Sequence, residues 1–154
     1  MMELELARAV HVVSVILWIG GVSFVTLSLL PYARSELPPE DAIAAFEAIE
    51  RRFAWQAKIY IGLAGVSGFW MVHAYDLWSR FADLTYWWMH AMVAVWTVFA
   101  FVVFIAEPLF LHTWFERAAE RNAEGTLKLI SRMHVVLLTV SLVTAFGAVY
   151  GVHG

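Results

Sequence analysis

Residues Ala9–Leu30 read AVHVVSVILWIGGVSFVTLSLL, an uncharged stretch long enough to cross a bilayer as a helix, which takes about 20 residues. Leu84–Ala106 and Met133–Gly154 are two further uncharged stretches of similar length. A fourth stretch, Ile59–Ala74, is shorter. It becomes long enough if residues 53–58 continue the helix and the last of them, a lysine, extends its amino group to the lipid headgroups. We therefore predict four transmembrane helices.

The predicted fold is all-α: an integral membrane four-helix up-down bundle that forms one domain over residues 1–154. The composition agrees, since 62% of residues are hydrophobic and 15% are charged, against roughly 45–50% and about 25% in soluble domains. The mean hydropathy is +0.71. The predicted spans cover about residues 7–31, 53–75, 84–112 and 127–152.

Charge and cysteine content exclude several classes of function. A net charge of -3 gives no reason to expect nucleic-acid binding, which needs a basic surface. The chain contains no cysteine, so disulfides, thiolate metal sites, iron–sulfur clusters and covalently attached c-type haem are all excluded.

The basic residues are distributed unevenly between the two ends of the predicted bundle. Only Arg8 and Arg80 fall at the end that holds both termini. The other eight fall in the connections between spans 1 and 2 and between spans 3 and 4: Arg34, Arg51, Arg52, Lys58, Arg117, Arg121, Lys128 and Arg132. The positive-inside rule therefore places these two connections in the cytoplasm and both termini outside a bacterial inner membrane.

The connection between spans 1 and 2 has its own helical pattern. Pro38-Pro39-Glu40-Asp41 is typical of a helix start, with proline and acids in the first turn. Apolar residues then recur at helical spacing, at Ile43, Phe46, Ile49 and Phe53. We expect a cytoplasmic amphipathic helix that lies on the inner membrane surface before the chain turns into span 2.

Six histidines in so apolar a chain are candidate functional residues, because ionisable groups inside spans are costly. The predicted topology sorts them into two layers. The outer layer contains His11, His73 and His90, with His153 at its rim, and the inner layer contains His112 and His134.

Imidazoles at matched heights in a bundle suit either of two ligands. Haem iron takes two axial imidazoles from facing helices, and His11 and His90 lie on the diagonal helices 1 and 3, with His73 as the reserve ligand. A copper or zinc ion takes three or four ligands in a tighter cluster. His11, His73 and His90 would form such a cluster on the outer side, and His112 and His134 would hold a metal or a second haem on the inner side.

Other residues would support a haem at the outer surface. Arg8 is placed to pair with haem propionates, although lipid phosphates explain it equally well. The glycines of spans 1, 2 and 4 could leave room for a flat macrocycle, or could serve close helix packing. Glu107, followed by the helix-kinking Pro108, could bind a metal or relay protons beside His112, and a plain interfacial carboxylate is equally consistent.

Two short motifs resemble a known superfamily. The stretch from Val10 to Gly21, with His11, then Trp18 seven residues on and then a small residue, resembles the first helix of the copper-resistance protein D (CopD) superfamily and of HemJ-type protoporphyrinogen oxidases. Trp87-Trp88-Met89-His90-Ala91 resembles the start of the third HemJ helix. HemJ likeness implies a b-type haem at His11, near Trp18, whereas CopD likeness implies copper handling. HemJ proteins carry a lysine where this chain has Met92, which argues against plain protoporphyrinogen oxidation.

The leading expectation is a haem b-binding membrane protein, with one haem or two, that transfers electrons, with an oxidoreductase activity left open. The alternatives are CopD-like copper binding or transport and HemJ-like protoporphyrinogen oxidation. The expected partners are membrane lipids, a quinone or a redox partner protein, and further copies of the chain in a homo-oligomer.

Overall fold

The computed structural model describes residues 2–153, with the side chains of residues 112, 152 and 153 left out of the description. These residues are almost entirely helical, and they contain no β-strand. The α-helices are α1 (Met2–Phe24), α2 (Leu30–Glu36), α3 (Pro39–Ala74), α4 (Trp87–Phe101), α5 (His112–Arg121) and α6 (Ala123–His153).

Two π-helical stretches join neighbouring α-helices without a break. Val25–Leu29 connects α1 to α2, and Val102–Leu111 connects α4 to α5. The second stretch contains Pro108, whose missing N–H removes a bond from the regular ladder. Two short 3₁₀-helices, Trp78–Ala82 and Leu84–Tyr86, form the loop between α3 and α4. The chain thus forms four long helical segments.

Three of these segments are long and apolar enough to cross a membrane: Met2–Glu36, Leu84–Leu111 and Ala123–Gly151. Their outward faces carry exposed large apolar side chains such as Leu109 and Phe146, as expected of helices that contact lipid. The protein is therefore a helical membrane protein by length and composition. The α3 helix is not among the three, because its apolar half is shorter than theirs.

The α3 helix differs from the prediction. It is one unbroken helix of 36 residues, about 54 Å long at about 1.5 Å per residue. The amphipathic segment therefore continues straight into the predicted second span and does not turn. Its apolar face is covered by protein: Ala42, Ile43 and Phe46 pack with residues of α2 and α6 in one buried cluster. No proline or glycine interrupts the chain between Glu40 and Ile61, which explains the continuity.

The α1 helix runs along α3, and this contact is the most extensive between helices in the structure. Trp18 and Val22 of α1 pack with Ala57 and Ile61 of α3, and Phe99 and Leu138 complete the cluster from α4 and α6. Trp18 is only 4% exposed and contacts Phe99 edge to face, at 4.8 Å between ring centroids. The middle of the molecule is thus filled by side chains.

Several glycines provide space for aromatic rings of neighbouring helices. A Cβ atom at Gly65 would lie 2.6 Å from the Trp96 ring, and Gly21 faces the Phe53 ring in the same way. On α6, Gly147 faces Trp87 and Gly151 faces Trp88. The space that these glycines leave is therefore filled by indole and phenyl rings, which is the close-packing interpretation and not room for a macrocycle.

Candidate functional site

His11 is half-buried between α1 and α3. Its Nδ1 atom lies 2.9 Å from the carbonyl oxygen of Ala64. The Ser67 hydroxyl is further away, at 3.4 Å from the same nitrogen. Gly68 lies against the ring, since a Cβ there would come within 3.1 Å of His11 Cε1.

The Ala64 contact decides which His11 nitrogen is available to a ligand. A carbonyl oxygen only accepts a hydrogen bond, so Nδ1 of His11 carries a proton and donates a hydrogen bond to the Ala64 carbonyl oxygen. In the neutral imidazole, the Nε2 atom then keeps its lone pair. Metal-binding histidines are usually oriented by such a bond from the other ring nitrogen to a backbone carbonyl or carboxylate. His11 therefore has the hydrogen-bonding arrangement of an oriented imidazole ligand.

His90 is placed differently. Its Nδ1 lies 3.2 Å from the Tyr86 carbonyl oxygen, and its Nε2 lies 3.1 Å from the Phe81 carbonyl oxygen. The ring also contacts the Phe81 ring edge to face, at 5.6 Å between centroids. Both nitrogens thus face backbone oxygens, and the ring joins the α3–α4 loop to α4. Iron ligation by His90 would require one of these contacts to open, and its pairing with His11 stays a prediction.

The remaining histidines are scattered. His73 is exposed near the end of α3. His134 is half-buried, with Nδ1 2.9 Å from the Ile130 carbonyl oxygen one turn back and its ring edge to face with Phe46. The side chains of His112 and His153 lie outside the described residues, so the inner pair of His112 and His134 stays a prediction.

The described side chains do not assemble a site for a bare metal ion. Among the residues that the structure describes, no three side chains of histidine, aspartate or glutamate come together as a metal site would require. His11, His73 and His90, the outer set predicted for copper, are not gathered in this way, and copper binding by them stays a prediction. The reason is local, because His11 bonds to α3 and His90 bonds to the loop that precedes α4.

Trp18 and Arg8 lie on either side of His11 along α1. The Trp18 indole N–H is buried and has no acceptor among the described residues. A buried donor that forms no hydrogen bond costs about 1–3 kcal/mol of stability. Trp18 is seven residues from His11, two helical turns, so both side chains lie on one face of α1. Arg8 donates from Nη2 to the Tyr75 hydroxyl at 3.1 Å at the exposed end of the helix pair.

An ion pair that the sequence analysis missed lies towards the other end of the molecule. Lys58 Nζ of α3 is 3.1 Å from Glu107 Oε2 in the second π-helical stretch, and the two side chains are 32% and 28% exposed. We expected Lys58 to reach the lipid headgroups, and Glu107 to be a metal ligand, a proton relay or a plain interfacial carboxylate. Each is the first charge at the inner edge of an apolar stretch, Ile59–Ala74 or Leu84–Ala106, and this shared depth is the signal that could have paired them.

A cavity of about 260 Å³ adjoins this ion pair. Charged side chains line it together with Phe46 and Ile130, the residues that also contact His134. The charged members are Glu47, Glu50, Arg51 and Glu107. The cavity borders the π-helical stretch at Pro108, and π-helical turns occur frequently at functional sites.

Comparison with family models, with curated proteins and with solved structures gives no match. The resemblance to the CopD superfamily and to HemJ proteins therefore stays a prediction from two short motifs.

Two candidate sites result from the side-chain contacts of the described residues. The outer site contains His11, Ala64, Trp18 and Gly68, and it offers a neutral nitrogen ligand inside an apolar helix pair. The inner site contains the Lys58–Glu107 ion pair, His134 and the adjoining cavity, and it offers charge and space for water.

Proposed function

We propose that this protein is a haem b-binding integral membrane protein of the bacterial inner membrane, which transfers electrons in exchange with a quinone or a redox partner protein. The observation that carries the proposal is the hydrogen bond from His11 Nδ1 to the Ala64 carbonyl. That bond leaves Nε2 as the ligating atom and fixes the plane of the imidazole ring. With no cysteine in the chain, the haem would be held without covalent attachment.

Of the two predicted histidines, His11 is the one with a ring nitrogen free of a backbone contact, because both nitrogens of His90 face carbonyl oxygens. His11 would hold the iron, and His90 would serve as second ligand only after releasing Phe81 or Tyr86, with His73 as the reserve. The buried Trp18 N–H has no acceptor among the described residues, and a polar group of the cofactor could accept a hydrogen bond from it. Arg8 would compensate the propionate charge at the exposed end of α1.

The haem would supply one-electron chemistry by cycling between ferrous and ferric iron. The protein's own side chains would set the conditions. The Ala64 carbonyl makes the His11 ring a better electron donor through its hydrogen bond. The apolar residues that pack around Trp18, Ile61 and Phe99 among them, would keep water away from the Trp18 end of the site.

Copper binding is the weaker alternative. A copper ion needs three or four ligands close together, and the described part of the chain offers no such cluster. Protoporphyrinogen oxidation shares the haem and differs in the substrate, and Met92, where HemJ proteins carry a lysine, argues against it.

The absorption spectrum of the purified protein tests haem against copper. We expect a Soret band and a sharp α-band in the reduced protein. Colourless protein that retains copper after dialysis would support the CopD-like alternative and contradict the haem proposal. Colourless protein without copper would contradict both.

The proposed architecture is a four-helix up-down bundle with four spans, in which the apolar half of α3 is the second span and its amphipathic half is the cytoplasmic helix. Both termini would lie outside, as the uneven distribution of basic residues favours. Reporter fusions after Asn122 should be cytoplasmic, and fusions after Gly154 should be external. The opposite pattern would reverse the side assigned to every histidine.

A further inference from the structure

A groove of about 530 Å³ lies between α5 and the start of α6, at the end of the molecule opposite His11. Trp114, Arg117 and Arg121 of α5 form one wall, and Asn122, Gly125 and Thr126 form the other. Trp114, Arg117 and Arg121 are spaced three and four residues apart, so they share one face of the helix. The groove therefore carries two guanidinium groups and an indole ring on a single wall.

The two arginines form no ion pair with a neighbouring acid in the part of the chain that the structure describes. The nearby Glu124 carboxylate pairs with Lys128, at 2.6 Å between Oε1 and Nζ. The Asn122 side chain accepts from the backbone N–H of Gly125 at 2.8 Å and so caps the start of α6. The lining of the groove thus contains two arginines and no acidic side chain.

The groove also lies where lipid headgroups are expected. The apolar segment Leu84–Leu111 ends just before α5, and Leu109 and Phe110 on its last turn are exposed. Trp114, 49% exposed, follows one turn later, and tryptophan prefers the membrane–water boundary. Leu129, exposed on α6, completes the groove. An apolar floor thus meets a basic wall at the depth of the phosphate groups.

We propose that this groove is a binding site for the headgroup of an anionic phospholipid. Arg117 and Arg121 would bind the phosphate, to which a guanidinium can donate two parallel hydrogen bonds. Trp114 and Leu129 would contact the adjoining glycerol and upper acyl chains. A lipid is favoured over a soluble phosphate compound, because the groove continues directly onto an exposed apolar helix face. The proposal does not depend on haem binding.

Native mass spectrometry of the full-length protein in detergent tests this site. The protein is delipidated and then titrated with phosphatidylglycerol or with phosphatidylcholine of the same acyl chains. We expect the wild type to retain phosphatidylglycerol in preference to phosphatidylcholine. The double variant Arg117→Gln/Arg121→Gln should weaken phosphatidylglycerol binding about tenfold, and Trp114→Ala should weaken it less.

The matched control is Arg34→Gln/Arg132→Gln, which removes the same charge at the same end of the molecule from exposed residues outside the groove. An equal loss in both double variants would show general attraction and overturn the proposal. Equal binding of the two lipids, or displacement of phosphatidylglycerol by millimolar inorganic phosphate, would also overturn it. Circular dichroism melting of each variant identifies any that is unfolded. In that case Arg→Lys replaces Arg→Gln at the same position. Weaker binding is still expected, because lysine cannot donate the two parallel hydrogen bonds.

Discussion

The outer and inner sites stabilise polar groups within the membrane protein in opposite ways. At the outer site, the His11 imidazole donates to a backbone carbonyl and lies near Gly68 and the Ser67 hydroxyl, with no charged side chain among its contacts with the described residues. At the inner site, Lys58 and Glu107 form an ion pair beside a cavity with further charged side chains. The first arrangement keeps a neutral nitrogen available to a ligand, and the second keeps two charges that depend on each other.

Substitutions at the two sites should therefore have different effects on ligand binding and on stability. Removing His11 leaves the Ala64 carbonyl with the hydrogen bonds of its own helix, whereas removing either member of the ion pair leaves a partly buried charge without its partner. Outer-site variants should therefore lose a ligand while they stay folded, and inner-site variants should lose stability. This contrast distinguishes the outer site, as a binding site, from the inner site, as a site that stabilises the fold.

A large effect on stability is expected at the ion pair. Lys58→Met should lower the free energy of unfolding by about 2 kcal/mol, because the pair is about one-third exposed and its loss costs less than that of a fully buried pair and more than that of an exposed one. The double variant Lys58→Met/Glu107→Leu should recover most of that loss. Thermal unfolding in detergent measures both. Equal losses in the single and double variants would show that the two charges are not coupled.

The exposed pair Glu124–Lys128 provides the matched control for the inner site. It has the shorter distance, 2.6 Å, but both side chains are more than half exposed, and such pairs contribute roughly 0–1 kcal/mol. Lys128→Met should therefore change the unfolding temperature little. A loss as large as that of Lys58→Met would contradict the burial argument.

An effect of similar size is expected where glycine accommodates an aromatic ring. Gly65→Ala should destabilise the protein by about 1–3 kcal/mol, because the new Cβ would overlap the Trp96 ring. Gly62→Ala, on the same helix, has nothing within 4 Å of its Cβ, and alanine there should be neutral or stabilising by roughly 0.5–1 kcal/mol. Unfolding curves for the two variants test the close packing of α3 and α4. Equal effects would contradict it.

The smallest effect is expected in the α3–α4 loop. Asp83 accepts hydrogen bonds from the backbone N–H and the hydroxyl of Thr85, both at 2.8 Å, and these bonds lower the pKa of its carboxyl group. A lowered pKa means that the contribution to stability is present above the unfolded pKa and is lost as the pH falls through the folded value. Below about pH 4, the unfolding temperature of Asp83→Asn should therefore decrease slightly less steeply with falling pH than that of the wild type. An unchanged profile would remove Asp83 from the loop's stabilising contacts.

The helical membrane fold could be predicted because the length of an apolar stretch is a local property of the sequence. The partners of individual residues could not, since they depend on how each helix is rotated and how far it slides along its neighbour. The Ala64 carbonyl that binds His11 carries no sequence signal. The Lys58–Glu107 ion pair had one, the shared depth of the two charges.

The continuity of α3 was also readable, from the lack of proline and glycine between Glu40 and Ile61. The amphipathic pattern of Ile43 and Phe46 does not say whether the apolar face meets lipid or protein, and in the structure it meets α2 and α6.

The absorption spectrum of the His11→Ala variant tests the central claim most directly, with Ser67→Ala as the matched control. The Ser67 hydroxyl lies near His11 Nδ1 but donates to the Leu63 carbonyl, so its removal leaves the Ala64 bond in place. We expect His11→Ala to lose the Soret and reduced α-bands while it keeps its helical circular dichroism, and Ser67→Ala to keep the bands. An unchanged haem spectrum in folded His11→Ala would contradict the account.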